Sequence, residues 1–285
     1  MVSRNQNDVM SSPKVSVLTP VFRTNHVYLK SMIESMLAQS FDDFEFLILN
    51  DSPDDKTLRP IIESYSDRRI RYLENEKNCG ISVSRNRLIQ EANGEYLAVL
   101  DHDDICLSSR LAKQVEYLDA HPEVGIVSGF VEVMSTGRVN SKRYPENNLA
   151  IKRRLLEENC VAHSAMMIRK SVLESTGVRY EAEFSPAEDY GLCVALMSYT
   201  LFHNLQEPLI RYRDHEGNTT NAMADLMEDR KRVVASIARR DFGAYIDKRK
   251  SDWLLFGFLK IGTTRKMHSG KMFNLFGIIP LILCR

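Results

Sequence analysis

Apolar and polar positions fall into two kinds of block along the first half of the chain. One kind is a short, nearly unbroken apolar run: VSVLTPVF over residues 15–22, FEFLILN over 44–50 and EYLAVL over 95–100. Such runs suit strands covered on both faces, and Pro20 stops the first of them. The other kind repeats at helical spacing. Leu29, Met32, Ile33, Met36 and Leu37 form one apolar helix face, and Leu111, Val115 and Leu118 mark another within 108–120. A short strand over 70–73 and a helix over 81–92, stopped by Asn93-Gly94, fill the interval. Strand–helix alternation of this kind predicts a parallel sheet with helices on both faces.

Beyond residue 120 the pattern loosens. VGIVSGFVEVM (124–134), SAMMIRK and LIRYR predict strands, EDYGLCVALMSY predicts a helix opened by two carboxylates, and an amphipathic helical pattern runs on from about residue 222. In doubly wound sheets ligands sit beyond the carboxyl ends of the strands. The segments TPVFR, NDSPDD and DHDD all end there and should converge on one crevice.

Composition narrows the classes. The 285 residues are 44% hydrophobic and 27% charged, with 38 basic and 38 acidic side chains, so no global field favours nucleic acid. The five cysteines are scattered and form no C-x-x-C pair, which argues against a disulfide framework or a zinc cluster and for a reducing compartment. The polar start MVSRNQNDVMSSPK lacks the apolar core of a secretion signal, and no window of about 18 apolar residues predicts a spanning helix. A cytoplasmic location is the expectation.

The chemistry gathers in LAVLDHDD, where Asp101, Asp103 and Asp104 follow a buried strand. Ionised groups at such a place need compensation. In an extended D-x-D segment the first and third side chains share a side, and their oxygens suit Mg²⁺ or Mn²⁺ with substrate phosphates completing the shell. The competing explanation is that Asp103 or Asp104 caps the helix near Ser108. Glu188 and Asp189 likewise suit either chemistry or the first turn of a helix. His215 is a second candidate ligand, Arg213 a phosphate partner, and His163 a structural residue; Gly80 and Gly94 suit turns.

Taken in order, VSVLTPVF, NDSPDD, NCGISVSRN, ANGEYLAVLDHDD, AEDY and YRDHEGNTT resemble the family 2 glycosyltransferases over residues 14–220. That resemblance implies an α/β GT-A fold, a Rossmann-like mostly parallel sheet flanked by helices, with a C-terminal helical appendage. It implies three segments: a disordered 1–13, a catalytic 14–220 and a helical 221–285. It also implies a metal-dependent inverting transfer from a nucleotide-sugar, a UDP-sugar, to a glycan or lipid-linked hydroxyl in surface-polysaccharide synthesis. Position by position, Pro20 and Phe22 would hold base and ribose, Asp51 the base, Arg85 the nucleotide and Asp101 the ribose. Asp103 would bind Mn²⁺ or Mg²⁺ with His215, Asp104 and Glu188 would complete the substrate site, and Asp189 would be the catalytic base. Ser84 and His102 depart from the usual family residues without removing a required group.

Two other functions stay open. A nucleotidyltransferase would carry a glycine-rich loop after its first strand, and TPVFRTNH has none. A non-catalytic nucleotide-sugar or glycan-binding module would have lost acids that this chain retains. In the tail, basic residues interleave with WLLFGFLKI and MFNLFGIIPLIL. The tail then either lies on an anionic membrane surface, the favoured expectation, or packs on the catalytic domain.

Overall fold

The computed structural model describes residues 12–135 and 138–246. In chain order the elements are β1 (Val15–Val21), α1 (His26–Leu37), β2 (Phe44–Asn50), α2 (Leu58–Glu63), β3 (Ile70–Glu74), α3 (Ile81–Glu91) and β4 (Tyr96–Val99). Then follow β5 (Ile105–Cys106), α4 (Arg110–Ala120), β6 (Val124–Ser135), β7 (Arg138–Lys142), α5 (Asn148–Arg154) and β8 (Met167–Arg169). The chain continues through α6 (Lys170–Thr176), α7 (Glu188–Leu196), β9 (Leu201–Arg213), α8 (Thr219–Ala222) and α9 (Ala224–Ile246). One sheet joins the strands in the order β3-β2-β1-β4-β8-β6-β9-β5, with β7 paired to β6.

The first half follows the periodicity. All seven residues of β1 and of β2 are buried, as strands between two helical layers must be. Side chains alternate: Val15, Val17 and Val21 join the core under α1, α2 and α4, whereas Leu18 faces the core under α3, α5, α7 and α9. Helix α1 buries Leu29, Met32, Ile33 and Met36, and Asn25 caps it by accepting the Val27 N–H at 2.8 Å. The strands β3, β2, β1 and β4 are mutually parallel, the α/β core that the alternation predicts.

From β8 onward the sheet is mixed. β8 runs antiparallel to both β4 and β6, β5 antiparallel to β9 and β7 antiparallel to β6, while β6 and β9 are parallel. The two-residue β5 carries no periodicity of its own; its register with β9 comes from tertiary pairing. Where β4 and β8 diverge, the fully buried Arg110 donates to the carbonyls of Val99 at 2.8 Å and Met166 at 3.2 Å. That bond set braces the end of β4 immediately before Asp101.

C-terminal helices are present, and α9 packs against the rest of the fold. Val234, Ala235, Ala238 and Ile246 are buried in the core shared with Leu155, Leu156 and Tyr190. For residues 224–246, packing on the domain is therefore what the structure shows. The expected disorder of residues 1–13 and the membrane role of the tail fall almost wholly outside the described residues. Among those described, no helix is long and apolar enough to cross a membrane.

Candidate functional site

The carboxyl ends of β1, β2 and β4 open onto one cavity of about 1380 Å³. Its walls include Pro20, Phe22, Asp51, Arg85, Asp101, Asp103, Glu188, Asp189 and His215, so nine of the expected site residues meet there. Asp104 does not line it. That side chain is fully buried, its Oδ1 accepts the Arg213 N–H at 3.0 Å, and Oδ2 has no hydrogen-bond partner among the described residues. Burial, with the Asp103 and Asp101 charges adding to it, pushes the Asp104 carboxyl well above its ordinary range. Its position suits anchoring β9 to the acidic loop, not contact with substrate.

Asp51 is fixed by the NCG segment. Its Oδ1 accepts from Asn75 Nδ2 at 2.6 Å and the Cys79 N–H at 2.9 Å, and its Oδ2 accepts the Gly80 N–H at 2.9 Å. Gly80 has φ +83°, a conformation that costs glycine nothing and lets the chain turn into α3 with that N–H aimed at Asp51. A carboxylate has about four lone-pair positions, so one remains for a ligand N–H.

The D-x-D expectation needs correcting in its geometry. Residues 101–104 form a turn, closed by the Asp104 N–H on the Asp101 carbonyl at 3.3 Å, and not an extended segment. The two carboxylates therefore face different partners. Asp101 Oδ1 accepts from Arg85 Nη2 at 3.1 Å, and Oδ2 lies 3.8 Å from His163 Nδ1. Burial disfavours the charge on Asp101, but His163 and Arg85 outweigh it and hold this carboxyl far below its ordinary range. Asp103 Oδ2 instead pairs with His215 Nε2 at 3.0 Å, with Asn218 Nδ2 at 3.5 Å. Neither Asp103 nor Asp104 caps α4, which starts after Ser109 without a side-chain cap.

Arg85 joins the two ends of the cavity. Besides Asp101 it donates through Nη1 to Glu188 Oε1, and its guanidinium sits 5.5 Å from the Tyr180 ring centroid. Both Arg85 and Glu188 are buried. Their bond is internal to the protein, so each acts first by holding its neighbour. His163 is similarly occupied: its Nε2 meets the Tyr180 hydroxyl at 2.9 Å while Nδ1 faces Asp101, as a structural histidine should. His102, unexplained by sequence, pairs its Nδ1 with Thr24 Oγ1 at 2.7 Å and ties the acidic loop to the loop after β1.

Asp189 stands in the first turn of α7. Its Oδ2 accepts from Asn159 Nδ2 at 2.8 Å and its Oδ1 from the Tyr190 N–H at 2.7 Å. Asn159 is in turn fixed by the Val161 N–H on its Oδ1 at 3.0 Å. Sequence reading missed Asn159, because ENCVAH carries no motif and its partner lies 30 residues away.

For a divalent cation, Asp103 and His215 supply an oxygen and an imidazole nitrogen at one spot, which suits Mn²⁺ or Mg²⁺ completed by phosphate oxygens. Among the described residues no group of three or more His, Cys, Asp or Glu gathers closely enough to hold a metal by itself. The donor set fits a cation shared with substrate and not a closed protein cage.

Comparison with known proteins places the fold and the family. The model of the family described as glycosyl transferase family 2 matches residues 16–177. The chain is 31% identical over 210 residues to an uncharacterized glycosyltransferase of Methanocaldococcus jannaschii, covering 72% of each chain. It is 29% identical over 191 residues to the amylovoran biosynthesis glycosyltransferase AmsE of Erwinia amylovora, covering 65% of this chain and 70% of that one. In fold it resembles S. aureus TarS 1-349 in complex with UDP-GlcNAc, with TM-score 0.63, 17% identity, and 84% and 77% of the two chains covered. It also resembles the mannosyltransferase PcManGT of Pyrobaculum calidifontis in complex with GDP-Man and Mn²⁺, with TM-score 0.57, 16% identity, and 85% and 66% covered.

Proposed function

The chain belongs to glycosyl transferase family 2, and on that premise we propose that it transfers a sugar, with inversion, from a UDP-sugar to a glycan or lipid-linked hydroxyl in surface-polysaccharide synthesis. The observation that carries the reading is the meeting of Asp51, Asp101, Asp103 and Asp189 around one cavity, each held in place by its own partners. The complexes of TarS with UDP-GlcNAc and of PcManGT with GDP-Man and Mn²⁺ support a nucleotide-sugar donor and a divalent cation. The amylovoran relative supports the polysaccharide setting.

In this reading Asp51, already oriented by Asn75, Cys79 and Gly80, accepts the N3–H of uracil on its remaining lone pair. Pro20 and Phe22 close the base and ribose side, and Asp101, clamped by Arg85, takes the ribose hydroxyls. Asp103 and His215 would hold Mn²⁺ or Mg²⁺, and such a cation would supply Lewis-acid neutralisation of the leaving diphosphate. Asp189 takes the proton of the acceptor hydroxyl as that oxygen attacks the anomeric carbon, and Asn159 keeps the carboxylate turned toward it. Attack on the side opposite the leaving diphosphate inverts the anomeric centre. The C-terminal region brings the enzyme to the cytoplasmic face of the membrane.

A thermal-shift panel of UDP, GDP, CDP and ADP, each with Mn²⁺ or with EDTA, tests this directly. A ligand bound only to the folded chain must raise its stability, by about 2.7 kcal/mol at a hundred times its Kd. The expected result is a Mn²⁺-dependent rise with UDP alone. A rise with no nucleotide refutes the donor assignment, and one with GDP alone refutes the uridine reading.

A further inference from the structure

The donor-side residues account for only one end of the cavity. The other end runs between α9 and the β6–β7 hairpin. On α9, Met227, Lys231, Ala235 and Arg239 all line it. They recur every four residues and make one ridge about 18 Å long at 1.5 Å per residue. Facing them are Val131, Val133, Lys142 and Tyr144 of the hairpin and the segment after it. Asp189 lines the same cavity. Burial pushes the Tyr144 phenol up, and the charges of Cys160 and Asp189 add to the shift, so that ring is within electrostatic reach of the candidate base.

The charges on these walls do not cancel. Glu158 is engaged by Arg154, and Glu228 by Arg232 at 3.1 Å. Lys142 and Lys231 have no carboxylate partner among the described residues, and Arg239 donates only to the Leu156 carbonyl at 3.2 Å. Lys142 Nζ lies 5.5 Å from the Tyr144 ring centroid, so an aromatic face and an ammonium are offered side by side. Glu157 and Glu216 also line the cavity and have no cation of their own among the described residues. Lys142, Lys231 and Arg239 outnumber these two acids, which leaves this end of the cavity positive.

Building on the proposed transfer reaction, we propose that the channel between α9 and the β6–β7 hairpin is the acceptor subsite and that it takes an anionic saccharide. Lys142, Lys231 and Arg239 bind its phosphate or carboxylate groups, and Tyr144 packs on a sugar ring. A negative acceptor is drawn in by the field of these side chains, and its hydroxyl is delivered to Asp189.

The test uses the full chain with UDP and Mn²⁺ filling the donor end, and three end-labelled probes followed by fluorescence anisotropy: tetragalacturonate, maltotetraose phosphate and neutral maltotetraose. At least one anionic probe should bind, about tenfold or more tightly than the neutral one. In the double variant Lys231→Ala, Arg239→Ala that preference should fall about tenfold, as expected for losing two partly exposed ion pairs. Binding of tetragalacturonate alone identifies carboxylate as the group read, and binding of the phosphate probe alone identifies phosphate. No binding of either anion, equal binding of the neutral probe, or an unchanged double variant overturns the inference. The thermal shift by UDP and Mn²⁺, measured on the same samples, separates the two readings: a shift without anion binding refutes the acceptor subsite alone, and no shift refutes the donor site. Retention of that shift in the variant also shows that it has folded.

Discussion

Asp189 has each carboxylate oxygen assigned: one to the Tyr190 N–H and one to Asn159 Nδ2. A carboxylate so held cannot rotate freely, and the lone pairs left over point in fixed directions. Asp189→Asn keeps the shape and removes the proton acceptor. It should retain the nucleotide-induced thermal shift and lose transfer by a factor of about 10² or more, read as product formed per enzyme at saturating donor. Asn159→Ala leaves the base in place but unoriented, so transfer should fall about tenfold with the donor KM unchanged. Near wild-type transfer by Asp189→Asn would remove it as the base. The acids were legible in sequence because each sits in a short local motif. Asn159 and Tyr180 were not, because what they do is set by partners far along the chain that only the fold brings near.

Single strands and turns carry the same logic one level up. Glu45 is a buried carboxylate in β2, where the other polar residue is Asn50, and it stitches three elements together. It accepts from Ser16 Oγ of β1 at 2.6 Å, from the Asn93 N–H at 2.6 Å and from Arg71 of β3 at 2.5 Å. Burial works against its charge, but the Ser16, Asn93 and Arg71 bonds prevail and hold its carboxyl below the ordinary value of 4.5. The folded chain therefore binds this proton less readily than the unfolded chain does. The resulting stability is fully present above the unfolded value and is lost as pH falls through the lowered one. Glu45→Gln should cost about 1–3 kcal/mol at pH 7, with the gap from wild type narrowing below about pH 4.5 in urea titrations. A gap of constant size across that range would show that the charge contributes nothing. The β1–β4 half was readable from periodicity because buried parallel strands are apolar throughout. The mixed half was read only in outline: β5 has two residues, and β8 takes its direction from pairing with β4 and β6.

Across the whole molecule, α9 makes the C-terminal region two parts with different physics. Through residue 246 it contributes buried side chains to the catalytic core and a wall to the cavity. The sequence beyond carries eight Lys or Arg against two Asp over residues 246–285, interleaved with long apolar runs. Clusters of that kind bind anionic lipid surfaces, each charge adding about 1 kcal/mol near the surface. Two truncations separate the parts. A chain ending at Met223 loses Val234, Ala235, Ala238 and Ile246 from the core, each fully or nearly buried, and uncovers Leu155, Leu156 and Tyr190. It should unfold well below the full chain in a thermal scan. A chain ending at Asp252 keeps every described core residue, so its melting and its nucleotide-induced shift should match the full chain. That same chain should lose sedimentation with phosphatidylserine vesicles, and the full chain should lose it as salt is raised, since screening shortens the reach of the basic cluster. Equal sedimentation of both chains would place any membrane contact on the folded domain, and no sedimentation of either would remove the membrane from this protein's function.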